Sequence, residues 1–217
     1  MKTNEFTKSY FDAAYGPHYR LRNPRYKWRV FLKEINRHVS GGSLLDIGCA
    51  YGLFLREASS RFKCTGVDIS QHAVIAARKT LPADIRLFTG AVGDLHMDAK
   101  FDLITCFDIL EHTKDLVRAL DNIQGLLNEN GVLAITIPVY DGPLGWLVDK
   151  LDKDETHTYR RPRGFWLEEV SKRFEVLDHI GIWRYFFFHR YYLNLMSRMT
   201  RRITPALMVI ARKPGAQ

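Results

Sequence analysis

The apolar positions of the chain change period repeatedly. Residues 43–49 (SLLDIGC) form a short, mostly apolar run between a Gly-Gly pair and a glycine-containing turn. That pattern predicts a buried strand. Residues 53–62 follow, with Leu53, Phe54 and Ala58 on one prospective helix face. Residues 64–69 (CTGVDI) predict a second strand. Ser70 can cap a helix over 71–80, and Pro82 lies just past its end. Short strands are predicted over 85–88 and 101–107 (FDLITCF). Leu116, Leu120, Ile123 and Leu127 recur at helical spacing, so 115–127 reads as an amphipathic helix. Asn130-Gly131 marks a turn before a strand over 132–137. A helix over 165–173 and strands over 174–180 and 206–211 complete the pattern. Upstream, Trp28, Phe31 or Leu32, Ile35 and Val39 suit a helix packed on the body.

Two segments break the alternation. Residues 140–162 are a long connection rich in Asp, Lys, Gly and Pro, and connections of that length are usually lids or binding loops. Residues 183–202 are dense in aromatics and arginine. There Phe188, Tyr192, Leu195, Met199 and Ile203 fall at helical spacing, which predicts an insertion helix. Elsewhere strand and helix alternate with short links, which implies a parallel sheet covered on both faces.

With 217 residues, the chain reads as one domain. It divides into a helical cap (1–40), a core (41–138) and a substrate-side region (139–217). The longest apolar runs, 73–77 and 206–211, are far short of the ~20 residues a spanning helix needs. No apolar stretch follows the N-terminus, so a secretory signal is not expected. Cys49, Cys64 and Cys106 form no CxxC pair, and their odd number fits buried thiols in a reducing compartment. A cytoplasmic location is expected, with peripheral membrane contact as an extension of it. The net charge of +8 is unevenly spread. Residues 1–40 hold 9 basic and 3 acidic side chains, 41–140 hold 9 and 12, and 141–217 hold 14 and 9. A mildly acidic body thus lies between basic ends, which attract phosphates, anionic lipid or nucleic acid.

The strongest local signal is Asp46-Ile47-Gly48-Cys49-Ala50-Tyr51-Gly52. A glycine-rich turn after the first strand of an α/β unit lets backbone approach a ligand closely. The dinucleotide pattern G-x-G-x-x-G fails at Ala50 and Leu53, and the P-loop fails because no Lys-Ser or Lys-Thr follows. A nicotinamide dehydrogenase is therefore disfavoured. Val67-Asp68-Ile69 puts a carboxylate at the end of the second strand, where it can accept both hydroxyls of a ribose. Phe101 to His112 (FDLITCFDILEH) forms a third block.

Together these blocks resemble class I S-adenosylmethionine-dependent methyltransferases of the metabolite, ubiquinone-type group. The resemblance implies a three-layer Rossmann-like fold with seven strands, the last antiparallel, and an N-terminal helical cap. It implies S-adenosylmethionine as cofactor and S-adenosylhomocysteine as product. Asp46, Gly48, Cys49, Ala50 and Gly52 would wrap the amino-acid end of the cofactor. Asp68 would bind its ribose and Ile69 its adenine, with Cys106 and Phe107 at the transfer centre. The family often has Gly-Asp after the third strand, whereas Ala91 stands here. Backbone at Ala91 or Val92 then serves the adenine, or Asp94 reaches it.

Methyl transfer to oxygen needs the acceptor's proton removed, so His112 and His157 are the candidate acid/base or substrate-orienting residues. No metal is expected: Asp149, Asp152, Asp154 and Glu155 are interleaved with Lys150 and Lys153 and read as a solvated loop. Phe107-Asp108-Ile109-Leu110 lacks the Pro-Pro tetrad of amino methyltransferases acting on DNA bases, so a small-molecule hydroxyl acceptor is expected and nucleic acid is not. The rival readings are an RNA methyltransferase, favoured by the basic ends, and a cofactor-binding scaffold without catalysis. For residues 183–202 the readings are a pocket-covering helix, a dimer interface, or a basic amphipathic membrane-touching surface. A monomer or a homodimer fits equally.

Overall fold

A computed structural model describes residues 19–143, 145–152, 154, 156–187 and 191–215. Two short helices, α1 (Tyr19–Arg22) and α2 (Arg25–Ile35), precede the first strand. Then β1 (Gly42–Ile47), α3 (Leu53–Ala58), β2 (Phe62–Asp68), α4 (Gln71–Arg78), β3 (Arg86–Thr89), β4 (Phe101–Phe107), α5 (Leu116–Leu126) and β5 (Leu127–Pro138) alternate as the pattern predicts. Next come α6 (Gly145–Leu151), α7 (Arg163–Ser171), β6 (Glu175–Phe187), β7 (Tyr191–Ser197) and β8 (Ala206–Arg212).

The strands form one sheet in the order β3-β2-β1-β4-β5-β8-β6-β7. The β1–β2, β1–β4, β2–β3 and β4–β5 pairs are parallel. β8 runs antiparallel to β5 and to β6, as expected of the last strand. The order reverses at β1, which pairs β2 on one side and β4 on the other. Open α/β sheets bind ligands at the carboxyl ends of the strands at such a switch point.

Each face of the sheet is covered. Leu116, Leu120 and Ile123 of α5, together with Trp166 and Val170 of α7, pack on one face. Trp28, Phe31, Leu32 and Ile35 of α2 pack on the other, with Phe54 and Ala58 of α3 and Val74 of α4. Phe31, Ile35, Leu120 and Ile123 are fully buried. Each such side chain contributes roughly 2 kcal/mol relative to exposure. The three cysteines are buried and free.

The sheet has eight strands against the seven expected, and the difference lies in the 183–202 stretch. No helix forms among its described residues. β6 runs on to Phe187, and β7 returns antiparallel to it from Phe187↔Tyr191 to Gly181↔Ser197. Two physical facts override the helical spacing. The stretch is rich in aromatic residues, which favour a pleated surface. Pairing with β7 also satisfies the outer edge of a 13-residue strand whose inner edge is taken by β8. Of the five residues that suggested a helix, Leu195 is in β7 with an exposed side chain, Met199 is almost wholly exposed, and Phe188 lies outside the described residues. The 140–162 connection contains one seven-residue helix, α6. Tyr10, Tyr15 and His18 of the predicted cap, with Lys153 and Glu155, lie outside the described residues.

Candidate functional site

A cleft, open at its mouth, lies over the carboxyl ends of β1, β2 and β4. Its walls come from sequence-distant segments: the loop after β1, the end of β2, residues 90–92, the end of β4, and α1–α2.

The β1 loop turns sharply because three of its residues adopt left-handed backbone. Gly48 has φ 79°, Ala50 φ 45° and Gly52 φ 71°. At Gly48 glycine is needed twice over: besides the positive φ, a Cβ would lie 2.0 Å from Ile109 Cδ1. Asp68 holds the loop from the neighbouring strand. Its two oxygens accept from Ala50 N and Ser70 N, each at 2.8 Å. Burial pushes its carboxyl upward, and those two N–H groups oppose the shift. Asp46, at the same level on β1, is buried and accepts from Thr105 Oγ1 at 2.6 Å. Burial raises its carboxyl to about 7. An ammonium group brought against it would restore the charge that burial suppresses.

Asp46, Gly48, Cys49, Ala50, Asp68, Ile69, Val92 and Phe107 all line this cleft, as do Gly90 and Ala91. Two residues expected on the cofactor do not. Cys106 points into the core and is fully buried. Gly52 sits behind the loop, where a Cβ would meet Leu81, and serves as the left-handed start of α3. Asp94 is turned outward to Arg118 at 2.7 Å, which leaves residues 90–92 lining the cleft at that point.

Helix α2 closes the cleft from above. Trp28, Phe31 and Phe54 surround Phe107 with centroids 5.9, 5.3 and 4.8 Å away. Tyr19, Asn23 and Lys27 also face the cleft, and Tyr19 packs edge-on against Tyr51 at 4.7 Å. Lys27 is buried, with Nζ on Asn23 Oδ1 at 3.0 Å. Burial lowers its ammonium to about 8, though Asp108 opposes the shift. Asp108 adopts φ 56°, pairs with Arg184 Nη2 at 2.5 Å and accepts from Thr136 Oγ1 at 3.0 Å. Burial pushes the Asp108 carboxyl up, but Arg184 and Lys27 overcome this and hold it below the usual range.

The far wall is polar. His112 lies in a 3-10 turn, 110–112, and borders the cleft. It does not cap the following helix; Asp115 does, accepting from Arg118 N. His157 comes from the 140–162 connection, and its ring centre is 4.6 Å from that of His112. Its Nδ1 is 2.6 Å from Asp152 Oδ2 and 2.9 Å from Tyr140 Oη. Thr156 Oγ1 is 2.8 Å from His112 Nδ1 and 2.5 Å from Asp154 Oδ1. Asp152 and Asp154, expected as solvated charges, therefore position the two histidines, while Asp149 remains at the surface against Arg160. Burial, then the neighbouring His157, hold the His112 imidazole below its ordinary value. Glu111, next in the chain, is fully buried, and among the described residues neither carboxylate oxygen finds a donor outside its own residue. Its carbonyl accepts from Thr158 N and Tyr159 N, which straps the connection against the turn. One ligand atom each from Glu111, His112 and His157 lies within 4.8 Å of the others. Arg163 anchors the far end of the connection. It binds Asp141 through Nε at 2.9 Å, the carbonyl of Thr204 at 3.1 Å and that of Arg201.

Glu111, Asp108, Arg184 and Lys27 carried no role in the sequence reading. Glu111 and Asp108 stand inside the FDILEH block, but their isolation and pairing depend on β6 and on residues 152–157, which are distant in sequence.

A family model described as a methyltransferase domain matches residues 19–198. The chain belongs to this methyltransferase family. S-adenosylmethionine is the cofactor of such enzymes, in line with the sequence resemblance. A ubiquinone biosynthesis O-methyltransferase of Schizosaccharomyces pombe is 30% identical over 145 residues, covering 61% of this chain and 52% of that protein. The chain spans about half the length of the curated relatives it matches. Among solved structures, an S-adenosylmethionine-dependent methyltransferase of Clostridium acetobutylicum superposes with a TM-score of 0.68 at 18% identity, covering 95% of this chain and 99% of that one. An N-methyltransferase of Bradyrhizobium japonicum in complex with S-adenosyl-L-homocysteine gives 0.62 at 18% identity, covering 88% and 87%. At those identities the likeness shows the fold. No helix among the described residues is long and apolar enough to cross a membrane.

Proposed function

We propose that the protein transfers the methyl group of S-adenosylmethionine to a hydroxyl oxygen of a small molecule. The observation that carries this reading is a single cleft with two unlike ends. One end has the left-handed glycine loop clasped by Asp68. The other ends in His112, backed by His157. In this reading Asp46 receives the cofactor's ammonium, Gly48, Cys49 and Ala50 pass their main chain along its methionine moiety, and Asp68 accepts the ribose hydroxyls. Ile69 and Val92 flank the adenine, and Phe107 lies beside the transfer centre. Helix α2 covers the reacting atoms and excludes water. Alignment of oxygen, methyl and sulfur then supplies most of the rate, because the sulfonium is already activated. His112 and His157 orient the acceptor oxygen where it loses its proton. All 217 residues serve this one unit, with residues 1–40 as cap and 139–217 as the acceptor side.

Two finer readings belong to the same proposal. The ubiquinone O-methyltransferase relatives favour oxygen over nitrogen as the acceptor atom. Exposed Leu195 and Met199, near Arg198, Arg201 and Arg202, support contact between the β6–β7 hairpin and an anionic membrane surface that presents an apolar acceptor. Co-sedimentation with anionic vesicles checks the latter.

Calorimetric titration with S-adenosylmethionine and S-adenosylhomocysteine tests the core reading. Saturable binding to the wild type is expected, with loss of at least about a hundredfold in Asp68→Ala, since two hydrogen bonds to a charged group go with the carboxylate. A folded wild type that binds neither compound would overturn it.

A further inference from the structure

We propose that the furrow between α2 and α3 is a docking surface for single-stranded RNA, which it holds by the phosphate backbone without regard to sequence. The inference goes beyond the methyl-transfer reading and does not depend on it, because the strand is a partner and not the methyl acceptor.

Helix α2 has two faces of opposite character. Lys27 and Trp28 line the cleft, and Phe31, Leu32 and Ile35 are buried. On the outer face Arg25, Arg29 and Lys33 recur at every fourth position and are exposed. Residues four apart on a helix are neighbours, so these cations form a row about 12 Å long. Arg37 extends the row past the helix end, while Arg56 of α3 and Arg61 of the turn after it flank the same furrow. Six cations thus line it against one carboxylate, Glu57.

Glu57 does not cancel them. Its side chain is largely buried and accepts from Arg25 Nε at 2.5 Å and from Arg29 Nε at 3.0 Å. Both guanidiniums are thereby fixed through one donor each, and among the described residues their Nη groups take no partner. Among the same residues Lys33, Arg37 and Arg61 pair with no carboxylate. Glu34, the one acidic residue of α2, is drawn away to Arg198, just after β7, at 2.6 Å. Positive charge gathered in this way along a furrow concentrates a polyanion.

The lining selects which polyanion. Among the described residues its one apolar member is Leu32, which is buried. The furrow therefore offers no anchor pocket to a partner helix and none of the apolar core that protein interfaces carry. It is concave and has no aromatic among those residues, so a flat bilayer cannot reach both rows and meets nothing to take in. Five of the six cations are arginines, whose planar fork matches phosphate bidentately. A thin chain with a charge on every unit, lying along the furrow, meets both rows at once. Without aromatics the bases do not stack on the protein and turn outward. The contacts then go to phosphates, which position a strand but carry no sequence information. The row also lies on the side of α2 away from the cleft, so a docked strand puts no base into it.

The test uses the full chain and a fluorescein-labelled oligouridylate of about twelve nucleotides, followed by fluorescence anisotropy from about 50 to 200 mM NaCl. Saturable binding is expected, with log K falling against log salt at a slope of about −3, as for about four neutralised phosphates of a single strand. Lys33→Ala/Arg37→Ala removes two cations that hold no carboxylate, so the fold stays intact. This double variant should bind at least about tenfold more weakly, with a slope shallower by about 1.4. Lys172→Ala, which removes an exposed cation just after α7 on the other face of the sheet, should match the wild type. No binding at the lowest salt, or a double variant with unchanged affinity and slope, would overturn the surface. Oligocytidylate of the same length should bind within about threefold of oligouridylate, and a preference beyond about tenfold would overturn recognition through the backbone. A polyglutamate peptide and vesicles containing phosphatidylglycerol are titrated alongside. Either one binding as tightly as the RNA, and weakening in the same double variant, would overturn RNA as the occupant.

Discussion

The two ends of the cleft are built by different means. At the proposed cofactor end, backbone does most of the work: Ala50 N and Ser70 N grip Asp68, and the loop shape is written in three left-handed residues within five positions. At the proposed acceptor end, side chains carry the structure: Asp152, Thr156 and Tyr140 aim His112 and His157 toward a buried Glu111. Each end also holds a buried carboxyl. Among the described residues, Asp46 has one side-chain partner, Thr105, and the Glu111 carboxylate has none from another residue. A backbone-built end tolerates little change at a glycine but accepts varied side chains around it. A side-chain-built end is set by identities at scattered positions and can be retuned residue by residue.

The sharpest way to break this contrast is Gly48→Val. A β-branched side chain at φ 79°, with its Cβ inside Ile109, should abolish cofactor binding and cost at least about 4 kcal/mol of stability by chemical denaturation. Near-normal binding would mean that the loop is not backbone-determined.

Next in size is Arg184→Ala, which leaves Asp108 without its 2.5 Å partner beneath the cleft. A loss of roughly 2–3 kcal/mol is expected by urea denaturation. Cofactor affinity should change less than stability if the two ends are as separate as their construction suggests.

Lys27 gives a pH test. Its folded value, about 8, lies below its ordinary 10.5, so the unfolded chain binds more protons between those limits. Stability should therefore rise as pH goes from about 8 to 10.5. Lys27→Met should flatten that rise and stabilise the protein at pH 7 by on the order of 2 kcal/mol. An unchanged pH profile in the variant would show that Lys27 is solvated.

The smallest effect is expected from Tyr140→Phe, which removes the hydroxyl near Asp152 and His157 but leaves their contact of 2.6 Å. A cost of about 1 kcal/mol is expected by thermal unfolding, with acceptor turnover falling more than cofactor affinity.

The same contrast explains what could be read from the chain. The β1 loop, Asp68 and the β4 strand lie in runs of a dozen residues or fewer, where spacing and residue type act locally. The register from Leu44 to Ile47 against Cys64 to Val67 follows from two buried strands of matched length. Glu111 looked like any acidic residue in a turn, because its burial depends on Thr158 and Tyr159 strapped to its carbonyl. Spacing misled at 183–202, where periods of three and four fit a helix on paper. A free sheet edge beside β6 decided the outcome instead. Cys106 was misplaced for a simpler reason. Strand residues alternate faces, and with Phe107 turned to the cleft, its neighbour must enter the core.

The Arg163 anchor bears on how acceptor preference could be exchanged between such proteins. One guanidinium ties Asp141, at the start of the connection, to the carbonyls of Arg201 and Thr204 in the turn before β8. The stretch that delivers His157 and the turn that ends the hairpin are thus a single heritable module. Grafting residues 140–162 from a relative without its matching 200–204 turn should yield a chain that folds yet misplaces its graft, whereas transplanting both together should bring the donor's selectivity into the recipient.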